Sequence, residues 1–475
     1  KEINKLIDEN FQLSEYRFFL DGYARYNPHI LSEETETILA ELGIALAKPD
    51  DIFSAFNDNN ISFEVFEHKG EDIHLSHAKY AQILESPDRE LRQKAFENYY
   101  KPFLQNIDVL ANTYATTVLT NIKLTKVRNH ESMLESALFP DYLPTTVFTN
   151  LVDVVKENID VVSEFNVLKQ EALGVEELHF YDNYIPLVAD VDKEYSYEET
   201  IDLVRTALEP LGSEYLRKYD ATVNARVIDV FESAGKRSGA FSWGSYASRG
   251  LVFLNHTGKF SDVSTFAHEF GHCLHRDYSI GNQPYLYYQN PIFLAEIAST
   301  FNEALLFDHM SKIAVSLEDK KFFLYHNMKR IEATFFRQTM FASFEKEIHE
   351  MAESGQVLIA KSITDVYRKN LEAYLGNGMV IDEQLHCEWA RIPHFYNAFY
   401  VYKYATSLSA AIALAERVSS GEAGAVDDYL SFLGAGSHKE PLEILKDAGV
   451  DMAGKEVYEV TVSKFKKLLE EYKSL

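Results

Sequence analysis

Five residues, His268-Glu269-Phe270-Gly271-His272, constrain this chain more than any other segment. Two histidines four positions apart fall on one face of an α-helix, because a turn takes about 3.6 residues. Both imidazoles can then reach one metal ion. Glu269 lies about 100° around the helix, beside such an ion rather than on it, where a carboxylate can take a proton from a zinc-bound water. The flanks support a helix. Ser261 and Asp262 offer an N-cap, and Val263, Phe266, Ala267, Phe270 and Leu274 form an apolar stripe at helical spacing. His268, His272 and His275 lie along another face. The chain must therefore fold around a buried amphipathic helix with imidazoles on its polar side. A core helix whose histidines only hydrogen-bond would carry the same spacing.

A catalytic zinc site takes three protein ligands and leaves a fourth position open. A metzincin needs glycine at 275 and histidine at 278, and this chain has His275 and Tyr278. The remaining source is a glutamate from a following helix. Asn290-Pro291 predicts a helix start, with asparagine as N-cap and proline in the first helical position. In the helix that follows, Glu296 and Glu303 share one face of a largely apolar stretch. A carboxylate there is costly unless a cation pairs with it. Glu296 is thus the expected third ligand of one Zn²⁺ per chain, with Glu303 orienting a ligating histidine. An ordinary solvated or ion-paired glutamate is the plain alternative for Glu303.

The 475 residues are 46% hydrophobic, enough for a large core in two lobes. A formal charge of −27 argues against nucleic acid and anionic membrane as partners. No apolar run reaches the ~18–20 residues of a membrane span. Two cysteines, Cys273 and Cys387, imply no disulfide framework and suit a reducing, cytoplasmic setting. Cys273 points off the ligand face and is expected as a buried thiol. The N-terminus lacks the apolar core of a signal peptide. Most of the chain predicts helix, including Gly212–Phe231, while Glu177–Leu187 predicts a linker between lobes. The glycine-punctuated stretch Gly235–Asn255 is the one clear β-like region. A strand just before the histidine helix could hydrogen-bond an extended peptide along its free edge, or simply close one wall of a cleft.

His268 to His275, followed by Glu296-Ile297-Ala298-Ser299-Thr300-Phe301-Asn302-Glu303, closely resembles the oligoendopeptidase F branch of the thimet-oligopeptidase-like (M3) zinc metallopeptidases. Lys236–Phe241 and Leu251–Asn255 resemble that family's strand pair, and Trp389–Tyr396 and Phe399–Tyr404 its His/Tyr-rich helix. The resemblance spans nearly the whole chain, specifically over the last half and diffusely over the first. Family members usually carry a further helical segment ahead of the point where this chain begins at Lys1, so a truncated or processed chain is expected.

The resemblance implies a mostly α fold of the zincin, thimet-oligopeptidase/neurolysin-like type. Two helical lobes would surround a deep channel, with a small β-sheet beside the zinc-binding helix. The lobes are expected at residues 1–188 and 189–475. It also implies a histidine and tyrosines on a helix over 393–406 that face the zinc and hydrogen-bond the tetrahedral intermediate. His394 matches best, with Tyr402 and Tyr400 the favoured tyrosines. Spacing leaves open whether the stripe Phe395/Phe399/Tyr402 or Tyr396/Tyr400/Tyr404 faces the metal. The implied activity is endopeptidase hydrolysis of short unfolded oligopeptides, with Glu269 as general base. The rivals are an exopeptidase, with Arg391 anchoring a substrate carboxylate, and an inactive peptide-binding scaffold, against which the intact Glu269 argues. Oligomeric state is left open.

Overall fold

The computed structural model describes residues 2–188 and 193–475, most of them in helices. The lobe boundary expected after residue 188 falls against residues 189–192, outside the described residues. Two small sheets interrupt the helices. Strands β1 (Phe66–His68) and β2 (Glu71–Ile73) form a hairpin, and β3 (Ile228–Phe231), β4 (Phe241–Trp243) and β5 (Leu251–His256) form a sheet in the order β3-β5-β4. β3 runs parallel to β5 and β4 antiparallel, with Ile228 and Ser242 both opposite Val252. Val252, Leu254 and His256 turn inward on β5, the alternation of a half-buried strand.

The long helix expected over Gly212–Phe231 ends at Asn224. Arg226 then takes a left-handed φ of 57°, and the β-branched run after it pairs as β3. Glu177–Leu187 is not a loose linker, because buried Asp182 accepts hydrogen bonds from Arg89 at 2.9 Å and Arg92 at 2.7 Å.

β5 leads into the histidine helix, Phe260–Asn282. Lys259 occupies the N-cap, and Asp262 caps from inside the first turn, accepting from the backbone N–H groups of Thr257 at 2.7 Å and Lys259 at 3.1 Å. The histidine helix thus starts earlier than its cap residues suggest, and the glutamate helix, Ile292–Ile313, starts one residue later. Pro291, extended at φ −56° and ψ 146°, takes the N-cap position, so Asn290 does not cap. These two helices cross at Gly271, where a Cβ would lie 2.5 Å from both the Ala298 carbonyl oxygen and the Ser299 Cα. On its other side the glutamate helix packs against the helix Tyr402–Ser419.

The expected continuous helix over 393–406 is broken. Pro393–Tyr396 forms a 3₁₀ turn, Phe399 is left-handed at φ 54°, and the α-helix begins only at Tyr402. A cavity of about 1080 Å³ is lined by Val162, Asn183 and Tyr184 together with His268, Glu296 and Tyr404. Among the described residues no helix is long and apolar enough to cross a membrane.

Candidate active site

The histidine and glutamate helices bring three donors together. His268 Nε2 lies 3.2 Å from His272 Nε2. Glu296 Oε2 lies 3.4 Å from His268 Nε2 and 3.5 Å from His272 Nε2. With zinc–ligand bonds of ~2.0–2.1 Å, tetrahedral ligands stand roughly 3.3 Å apart, so the separations already fit such an ion. Among the described residues this is the one group of three metal-ligating side chains so arranged.

The charges fit as well. Burial disfavours a proton on His268, yet hydrogen bonds and charge from Glu296 and Glu303 raise its pKa to about 10. Burial likewise opposes ionisation of Glu296, but the two imidazoles hold its carboxyl well below the ordinary range. The cluster thus draws a positive charge to its centre, and a divalent cation can displace the proton from the imidazole that ligates it. Glu303 Oε1 accepts from His268 Nδ1 at 2.9 Å, leaving Nε2 to point at the other two donors. Arg330 steadies Glu303 at 3.4 Å, and the Ser299 hydroxyl donates to Glu296 Oε2 at 3.1 Å.

Glu269 is buried beside the triad, and its Oε2 has no hydrogen-bond partner among the described residues. Burial raises its pKa above the usual carboxylate value. Glu269, His268 and Glu296 all line both the large cavity and a second one of about 570 Å³. β4 borders the second cavity, and no strand among the described residues pairs with its outer edge.

His394, Tyr400 and Tyr404 form an aromatic cluster. The His394 and Tyr400 rings stand 6.2 Å apart, and those of Tyr400 and Tyr404 5.5 Å. Tyr404 Oη is 3.4 Å from His394 Nε2. Tyr404 lines the large cavity, where burial, Tyr400 and the charge on Glu296 push its hydroxyl up to about 12, whereas His394 and Tyr400 line neither cavity and meet it through Tyr404. Tyr402 requires a correction. It is wholly buried, its ring packs on Phe148 at 5.6 Å, and it lines neither cavity. The left-handed turn at Phe399 is the cause, because helical spacing cannot be carried from His394 across it. Tyr404, which takes the cavity position instead, lies on the stripe Tyr396/Tyr400/Tyr404.

Arg391 is held by Glu388 at 2.6 Å and by Tyr100 at 3.2 Å, so its guanidinium is not presented to the triad cavities. Cys273 is buried with its thiol pushed up to about 11 by burial, and buried His275 is held neutral, with a pKa of about 3, against Phe432. Neither joins the triad.

Residues 82–463 match the model of peptidase family M3, and residues 1–63 match an oligopeptidase F model. Oligopeptidase PepF of Bacillus subtilis is 37% identical over all of this chain and 71% of its own length. An oligoendopeptidase F homolog of Lactococcus lactis is 35% identical over 99% of this chain and 80% of its own length. The crystal structure of oligoendopeptidase-F from Enterococcus faecium superposes with a TM-score of 0.84 at 30% identity, covering all of this chain and 80% of that one.

Proposed function

Since the chain belongs to peptidase family M3, we propose that it is a zinc endopeptidase of oligoendopeptidase F type that hydrolyses short unfolded oligopeptides. The observation that carries this is the donor triad beside an unpartnered Glu269 where two cavities meet. His268, His272 and Glu296 would hold one zinc ion. When bound, zinc supplies a Lewis acid and a water acidified to a pKa near ~7.

Glu269 takes the proton of the attacking water at its free Oε2 and passes it to the leaving amine. Its raised pKa brings the carboxyl closer to the range in which it can both accept and return a proton. Tyr404 keeps its proton at neutral pH and can donate to the oxyanion that develops on the scissile carbonyl. His394 and Tyr400 orient that hydroxyl or donate alongside it. Glu303 fixes the His268 tautomer.

Two cavities share Glu269 in their lining, room enough for a peptide to continue past the cut bond, which favours endopeptidase over exopeptidase action. The involvement of Arg391 with Glu388 points the same way. We place the lobes at residues 1–188 and 189–475, and the enzyme in the cytoplasm, whose reducing conditions suit two buried free cysteines. Mass spectrometry of products from peptides with both termini blocked tests the proposal. Internal cleavage that a chelator abolishes and zinc restores is expected. Cleavage only of peptides with a free terminus would make it an exopeptidase, and no turnover by the zinc-loaded protein would leave a binding scaffold.

A further inference from the structure

Glu345 sits at the centre of the helix Arg337–Glu353, fully buried, and no basic side chain pairs with it among the described residues. Its Oε1 accepts the backbone N–H of Phe399 at 3.1 Å, while its Oε2 has no partner. Tyr114 Oη and His349 Nε2, other buried polar atoms in this region, are also without partners. The Phe399 ring packs between His349 at 4.9 Å and Phe148 at 5.7 Å. A non-glycine residue at φ 54° is strained and persists only where its surroundings hold it. Its buried N–H, cut off from helical pairing, also needs an acceptor. Burying a carboxyl with one idle oxygen is unfavourable, and an apolar side chain of similar size would pack there at lower cost. What the carboxyl provides is the acceptor at the break.

We propose that Glu345 is a positioning residue for the reaction. By accepting the Phe399 N–H it locks the left-handed break that sets Tyr404 into the cavity lined by the triad, with His394 and Tyr400 packed against it. This rests on the peptidase function proposed above, so the test has a readout independent of turnover. Glu345→Gln keeps an acceptor oxygen, and Glu345→Leu removes it at similar volume. For Leu, kcat should fall about 100-fold, a loss that a misplaced catalytic group can cause, with unchanged zinc content; its melting temperature does not decide the matter, because the apolar gain and the orphaned Phe399 N–H oppose each other. Gln should stay within about twofold of wild type, as expected when the hydrogen bond is kept. Hydrogen exchange at the Phe399 amide should quicken in Leu and not in Gln.

Wild-type kcat and wild-type amide protection in Glu345→Leu would overturn the proposal. So would equal losses of kcat in Leu and Gln. Should Leu not fold, Glu345→Asp, one methylene short of the amide, carries the same test. If wild type shows no chelator-sensitive turnover, the peptidase proposal fails, and the exchange comparison still decides whether Glu345 holds the break.

Discussion

Replacing Gly271 with alanine tests how tightly the helix crossing sets the triad. The new Cβ would lie 2.5 Å from the Ala298 carbonyl oxygen and from the Ser299 Cα. Both are backbone atoms, so no rotamer change relieves the contact. Ordinary carbon contacts need ~3.5–4.0 Å, so the helices must part by roughly 1 Å. Ser299 follows Glu296 by less than one turn, and the displacement carries Glu296 with it. Its Oε2, now 3.4 and 3.5 Å from the two imidazole nitrogens, would move roughly 1 Å further off, well outside the spacing of roughly 3.3 Å that tetrahedral zinc ligands keep.

Overpacking costs ~1–3 kcal/mol, and alanine recovers about 1 kcal/mol of helix propensity over glycine. The metal-free fold should therefore lose at most about 2 kcal/mol. Zinc affinity should drop by about 10–100-fold, the range seen when the supports of metal ligands are disturbed. Competition against a chromophoric chelator gives the affinity, and melting with and without zinc gives the stability. Wild-type zinc affinity at wild-type melting temperature would refute the reasoning. A large stability loss with unchanged affinity would show that the strain is relieved away from Glu296.

Glu269→Gln should keep its zinc and lose at least the ~10²–10⁴-fold that a general base contributes to kcat; near-normal turnover would end its assignment as base. Tyr404→Phe should lower kcat by roughly 10²–10³-fold, as for a lost oxyanion donor, while Tyr402→Phe leaves kcat unchanged, and steady-state kinetics on one peptide distinguishes them. Glu345 gives a pH dependence. Burial raises its pKa from 4.5 to about 8, so its contribution to stability is full below pH 4.5 and lost as pH rises through about 8. Glu345→Gln has no such titration, so its melting temperature should gain on wild type from pH 5 to pH 9; a constant difference would mean that the carboxyl ionises freely in the fold.

The triad was legible because its spacing is internal to two regular helices. His268 and His272 are one turn apart, and Glu296 lies on a continuous helix whose apolar pattern is plain. Tyr402 was misplaced for a physical reason of long range. What breaks the helix before it is a left-handed Phe399, clamped by Glu345 from a different helix, and nothing in the local residues announces that contact. The Asn290 cap was misjudged by a single position, since asparagine and the extended backbone of Pro291 compete for the same role. In Gly212–Phe231 the helical and strand patterns meet at Arg226, whose positive φ is uncommon for arginine.

β4 spans three residues, Phe241–Trp243, half the usual strand length of ~5–6. An unpaired strand edge is a template for any chain, including another copy of the same one, and is a common origin of aggregation. So short an edge gives a copy of this protein little ladder to grow on. It also borders the cavity of about 570 Å³, with Phe241 and Trp243 exposed. The shortness of the strand is therefore what limits the hold that a second copy could take on this edge.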